Sequence, residues 1–499
     1  MPAGPEIILT NARVHGADTG VSAVGIANGV ITATGPDTEI LQYRGENTEI
    51  IDCKGCALIP GIVDDHLHLF AAAAARMAAD CRPAATPAVE SVLSALRESQ
   101  PRRDGWIRGY GYDDSPLGLG RHLTRHDLDT VARERPVRVE HRSGHACVMN
   151  GAGLAAAGIG RDTPDPPGGT IARDAHGEPT GLLLDMESWL RQRIATRVDA
   201  GEFRSAIRDL ADALLSYGIT AVTDAGADNG IDRWRAFEEL LAEGAIPLRV
   251  NMMVGAGQLD ELRREGFRYG DLSADGLLTL GPAKIMLTVS SGSMHPDFDT
   301  LCRIIAGAHD VGFPVAIHAV EREAVVASAL ALMDHPAPIG DDRIEHCGEG
   351  PPDVGELVAA SGARVVTNTG FLHYDGERYR RTVASDLLPH LYAAGALDAL
   401  GVRVSLGSDA PVVEPNPWAA MAAAVERRTA EGHALGGAGL PSVPHALSKH
   451  TGSHRIALGQ PADLAVVQPD PLFTKPRLLP EIRSVLTVVA GKVVWRDGV

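Results

Sequence analysis

The sequence predicts an α/β fold: a (β/α)₈ TIM-like barrel with a small β-sandwich domain built from both termini and an insertion after the first barrel strand. Three observations carry this. Eight short apolar runs recur, at 59–63, 219–223, 248–254, 283–289, 314–317, 342–345, 364–367 and 402–406. Most alternate with Ala- and Leu-rich stretches of helical period, at 203–217, 232–243, 298–310, 321–332, 352–361 and 384–398. Nearly continuous apolar strands between helices mark a parallel sheet covered by helices, and eight units favour a closed barrel over an open sheet. Finally, runs of branched residues punctuated by Gly and Pro lie at both ends of the chain.

The elements follow in order. Residues 1–57 hold Ile7-Ile8-Leu9, Ala23-Val24-Gly25-Ile26 and Gly29-Val30-Ile31, short strands of too little area for a core of their own. Residues 451–499 hold Asp463–Val467, Val485–Val489 and Lys492–Trp495, so the two ends are expected to pack together as one small domain. Residues 58–81 start the barrel. About 150 residues then separate the first apolar run from the second, far more than one helix needs, so 82–200 reads as an insertion. Insertions at strand C-termini hang over a barrel's mouth, and this one is expected to be a substrate lid. Residues 201–450 complete the barrel.

Composition narrows the function. A formal net charge of −18 argues against a general nucleic-acid binder, whose footprint is a basic patch. No apolar run reaches membrane-spanning length and no signal-peptide pattern opens the chain, so a cytoplasmic protein without a membrane partner is expected. Six cysteines in 499 residues make no disulfide framework, and the lone Cys53-x-x-Cys56 reads as two small apolar residues.

Chemistry gathers at the strand ends. The first strand runs into Asp64-Asp65-His66-Leu67-His68; residues i and i+2 of a strand share a face, so His66 and His68 form a natural metal clip. The fourth strand carries Lys284 inside an apolar run, costly unless paired or modified. His318 ends the fifth strand, His346 the sixth, and Asp409 the eighth. Catalytic residues of a barrel come from the C-terminal ends of several strands, and four histidines, a lysine and an aspartate at such ends are hard to explain as packing. Neutral imidazoles with a carboxylate suit one or two divalent ions, zinc first. Metal-activated water would attack the substrate, with Asp409 as the base that passes a proton to the leaving nitrogen. Tyr110, Tyr112 and Asp113 are placed to line the lid, and Tyr374, Asp375 and Trp418 to be reachable from the barrel mouth; their aromatics suit a partly apolar amide. His445, His450 and His454 cluster without strand-end geometry.

These residues resemble the amidohydrolase superfamily, in the branch containing the N-substituted formamide deformylases (amidohydrolase family 3), over nearly the whole chain. The likeness rests on Pro60–His68, Arg343-Ile344-Glu345-His346, Gly407–Pro411, the insertion's Leu128-Asp129, Arg135-Pro136-Val137, His145–Asn150, Asp165–Gly169 and Gly177–Gly181, and the terminal Leu458–Val467. It implies that His66, His68 and Asp409 hold one metal, that His318 and His346 hold a second, and that Lys284, carboxylated on its amine, bridges them. It also implies a substrate-facing His145 and hydrolysis of a non-peptide carbon–nitrogen bond in a small amide-type molecule. An isomerase or lyase on the same scaffold, or a non-catalytic assembly protein, are the alternatives, and a homo-oligomer is left open. The chain departs from the branch in three places: no Asp-Gly pair in Ile285–Gly292 after Lys284, Val320-Glu321-Arg322 after His318, and Asp185 where a glutamate is usual. These leave the metal core intact and bear on substrate identity.

Overall fold

The computed structural model describes residues 4–82, 87–99, 101–102, 104–194, 199–290, 293–337, 340–452 and 454–498; Ser291 and Gly292, in the departure after Lys284, lie outside them. The chain divides into two compact units, Met1–His68 with Ala211–Val499, and Leu69–Leu210.

In the first unit eight parallel strands run in chain order: β1 (Ile62–Leu67), β2 (Ile219–Asp224), β3 (Arg249–Gly255), β4 (Leu278–Met286), β5 (Val315–Ala319), β6 (Arg343–His346), β7 (Arg364–Thr367) and β8 (Val404–Leu406). Beyond β8 two backbone bonds, Asp409 N–H to His66 O (2.7 Å) and His68 N–H to Ala410 O (2.8 Å), bring the last strand's exit to the first strand's end. This is the expected TIM-type barrel.

Two local expectations change. The apolar run 59–63 is split: Ala57–Pro60 pairs with Leu464–Gln468 in another sheet, and β1 begins only at Ile62. Gly61 permits the break, because a Cβ there would lie 2.1 Å from Thr220 Oγ1 on β2. The stretch 384–398 is not one helix but a 3₁₀ turn, Leu388–His390, followed by the short helix Ala394–Ala399. Pro389, with no N–H to donate, interrupts the helical ladder.

Both termini build the small sandwich. A four-stranded sheet of Val30–Gly35, Ala23–Ala27, Ile7–Thr10 and Glu49–Asp52 accompanies a five-stranded one of Arg13–Val14, Ala57–Pro60, Leu464–Gln468, Arg483–Val489 and Lys492–Arg496. Leu9, Val24, Ile26, Leu58, Leu464, Val466 and Leu486 share one buried core. Neither end could bury these faces alone.

The second unit is a six-stranded mixed sheet in the order Thr170–Arg173, Pro179–Leu184, Ala146–Met149, Val137–His141, Ile107–Tyr112 and Ala79–Asp80. Apolar clusters around Leu96, Val139 and Val148, and around Met149, Leu183 and Leu190, pack it. Among the described residues no helix is long and apolar enough to cross a membrane.

Candidate metal centre

The end of β1 delivers His66 and His68, and the loop after β8 delivers Asp409 to meet them. Asp409 Oδ1 lies 3.5 Å from His66 Nε2 and 3.2 Å from His68 Nε2. These three residues offer ligand atoms within 4.8 Å of one another. His346, from β6, stacks against His66 at 4.7 Å between ring centroids, and His318, from β5, against His346 at 4.6 Å. All but His68 are buried. His346 (φ 67°) and Asp409 (φ 58°) hold left-handed backbone that ordinary side chains rarely adopt. Such conformations cost about 1–3 kcal/mol each and persist where the surroundings over-determine them.

Two of the rings, His66 and His346, are aimed by their far nitrogens. Glu345 Oε2 makes a short contact with His66 Nδ1, and Asn368 Oδ1 lies 2.7 Å from His346 Nδ1. With a proton on each Nδ1, both Nε2 atoms are left with free lone pairs. Burial, followed by the charge of Lys284, pushes the His66 imidazole down to about 3, so the ring is neutral. Asn368 also donates to Gly407 O (3.0 Å), tying His346 to the backbone two residues before Asp409.

Below the histidines runs a column of paired charges. Arg343 binds Glu345 (Nη2 to Oε2, 2.9 Å) and reaches Asp65 (Nη1 to Oδ1, 3.1 Å). Asp65 also accepts from Arg364 (2.9 Å), Ser405 Oγ (2.7 Å) and Thr223 Oγ1 (2.9 Å). Burial opposes the Glu345 charge, yet Arg343 and His66 hold its carboxyl well below the usual range. Asp409 is likewise opposed by burial and held low by His68 and the neighbouring imidazoles.

Among the described residues of this centre, the buried His66 Nε2 and Lys284 Nζ make no hydrogen bond. Burial pulls the Lys284 amine down to about 8 against the attraction of Glu345 and Asp409. An orphaned imidazole lone pair beside a second histidine and a carboxylate is a donor set that fits a divalent metal.

The residues expected to face a substrate fall differently. His145 is 43% exposed in its side chain, with Nδ1 2.9 Å from Asp185 Oδ1, so two insertion passages meet. Asp185 itself has φ 51°. Tyr374 ends the short helix Gly370–Tyr374 and is half-exposed. Trp418 and Tyr112 correct the expectation of accessible aromatics. Trp418 is fully buried in the helix Pro417–Glu426, its indole N–H donating to Tyr217 O (3.0 Å), so its polar handle is spent on packing. Tyr112 is fully buried in the second unit's core, with its hydroxyl 3.1 Å from His122 Nδ1. His450 is buried under β1, with Nδ1 donating to Val63 O (3.0 Å), while His445 pairs with Asp398 (2.7 Å).

Glu345 and Asn368 were not singled out from the sequence. Strand periodicity puts Arg343 and Glu345 on one face, a readable hint. Asn368 offers none, because its partners lie 22 and 39 residues away.

YtcJ of Bacillus subtilis (strain 168), which carries an amidohydrolase name, is 29% identical, over 95% of this chain and 96% of its own. N-substituted formamide deformylase of Arthrobacter pascens is 28% identical, over 97% of each. The fold is shared with an uncharacterized metal-dependent hydrolase from Pyrococcus horikoshii OT3, at TM-score 0.74 and 22% identity over 94% of this chain and 99% of that one. The profile of the amidohydrolase family matches residues 49–495, and the chain belongs to that family.

Proposed function

We propose that this amidohydrolase hydrolyses a non-peptide carbon–nitrogen bond, of amide type, in a small molecule. The observation that carries the reading is the orphaned Nε2 of buried His66, converging with His68 on Asp409. His66, His68 and Asp409 would hold one divalent ion, zinc by the donor chemistry, and His318 and His346 a second. Lys284, carboxylated on Nζ, would bridge the two: a carbamate replaces a costly buried cation by an anion with two oxygens to share. A metal bound there polarises a carbonyl and lowers the pKa of water into the neutral range. Asp409 accepts the proton of the attacking water and returns it to the departing nitrogen, which must leave as an amine. Glu345 and Asn368 keep His66 and His346 in the tautomer that leaves Nε2 bare.

The relative from Arthrobacter pascens points to N-substituted formamides as a first substrate class. The changes at Val320-Glu321-Arg322 and Asp185 widen the search to N-acyl amino acids and cyclic amides. The test is a screen of these three classes, with metal-loaded and chelated protein, reading free amine and acid. Release of both from one class, abolished by chelation, is expected. Products with the atoms of the substrate merely rearranged would overturn hydrolysis.

A further inference from the structure

One carboxylate inside the barrel ties together the strands that carry the metal-type side chains. Asp65, on β1, accepts four hydrogen bonds from side chains, two at each oxygen. Oδ1 takes Arg343 Nη1 from β6 (3.1 Å) and Thr223 Oγ1 from β2 (2.9 Å). Oδ2 takes Arg364 Nη2 from β7 (2.9 Å) and Ser405 Oγ from β8 (2.7 Å). Five of the eight barrel strands therefore meet at this side chain. An ionised carboxylate offers about four lone-pair sites and no proton. Donors fill those sites here, so the group is held as an anion and has nothing left to give an ion as a ligand.

Its reach extends back to His66. Arg343 Nη2 also donates to the Asp65 carbonyl (2.7 Å) and to Glu345 Oε2 (2.9 Å), and Glu345 Oε2 contacts His66 Nδ1. The path leaves β1 at Asp65, crosses to β6, and returns to β1 at the next residue, the candidate ligand His66. Arg343 and Glu345 are fully buried, so water screens their charges little.

Within the column two acids, Glu345 and Asp65, face two guanidiniums, Arg343 and Arg364. The other acidic neighbour of Arg364, Asp341, stands 3.9 Å away and is 36% exposed in its side chain, where solvent weakens the pair. Without the Asp65 charge the column would hold one acid against two cations, under a centre that must accept a cation. Such an excess acts at a distance, because buried charges are screened far less than surface ones.

We infer that Asp65, though not a ligand, sets the affinity of the barrel centre for a divalent ion by balancing the charge of Arg364. This rests on the reading of His66, His68 and Asp409 as ligands. The measurement is the Zn²⁺ affinity of stripped, full-length protein, in competition with a chromophoric chelator, with the Tm of the metal-free form followed in parallel. D65N should bind Zn²⁺ about tenfold or more weakly than wild type. R364Q, at a side chain 26% exposed, should bind at least as tightly as wild type. D65N/R364Q should recover most of the loss, although it gives up one more hydrogen-bonding group. A merely structural role demands the opposite order, with the double variant weakest. Wild-type affinity in D65N, or a double variant weaker than D65N, would overturn the proposal. Should D65N not fold, R364Q decides, since weaker binding than wild type there would defeat the charge balance. H66A/H68A keeps the two readings apart: a Zn²⁺ ion held by that variant at wild-type affinity would bring down the ligand assignment, whereas one lost there and kept unweakened by D65N counts against Asp65 alone.

Discussion

Asp409 faces two histidines through one oxygen while its backbone sits at φ 58°, held by the bond from its N–H to His66 O. The first strand thus fixes the backbone from which its carboxylate projects. D409N should keep the fold and lower kcat by about 10²–10⁴-fold, with a much smaller change in KM, because proton transfer matters in the transition state. Metal content measured alongside separates the effect from ion loss; unchanged kcat in metal-replete D409N would remove Asp409 from the base role. Lys284 presents the complementary case, an amine buried without a hydrogen bond. K284A should lose one metal and nearly all turnover, K284E should recover part of each, and reconstitution of stripped wild type should be faster with bicarbonate. High-resolution density showing a bare amine beside a single fully occupied metal would defeat the bridge. At this scale the candidate ligands could be picked out, since His66, His68, His318, His346 and Asp409 all stand at the ends of apolar runs. Their supports were not: Glu345 acts on a ring 279 residues away, a pairing that no local pattern encodes.

The contact between β1 and the exit of β8 decides whether the ligands meet. A Cβ on Gly407 would stand 2.6 Å from His66 N, a backbone atom that cannot swing aside. G407A should therefore cost about 1–3 kcal/mol by overpacking and weaken zinc binding together with stability. Denaturant unfolding and a zinc titration check this, and an unchanged midpoint would contradict the close approach. The helix Val443–Thr451 supports the same strand from outside through His450. Burial pushes that imidazole down to about 4. A depressed histidine contributes stability above its unfolded pKa of about 6.5 and loses it as pH falls towards the folded value, here about 3 kcal/mol in all. The stability gap between wild type and H450Q should shift by roughly that amount between pH 6.5 and 4, wild type losing; a gap independent of pH refutes it. Strand periodicity located β2 to β8 within a few residues, because buried parallel strands are apolar on both faces. It failed at 59–63, where one apolar run serves two sheets, since composition does not show which partner each half finds.

For the whole molecule, metal binding should be linked to folding, because the candidate ligands come from β1, β5, β6 and the exit of β8 and are assembled only in the native chain. Free metal at about 100 times its Kd adds roughly 2.7 kcal/mol of stability. Chelation should therefore lower Tm and reloading with Zn²⁺ restore it, as thermal denaturation will read; coincident curves would mean that no such site forms.

What the sequence by itself determined is the barrel, the two-ended sandwich and the set of candidate ligands. Each of these is a repeating or local pattern: apolar periodicity, branched runs between glycines, a polar residue closing an apolar strand. Tertiary structure alone decided that Asp409 meets both His66 and His68, that Glu345 and Asn368 hold the rings, and that Trp418 packs instead of facing the mouth. It also brought His122 and His141 onto the carboxylate of Asp114. The reason is that aim and burial depend on which distant strands become neighbours, and hydrogen bonds between them carry no signature in the local order of residues.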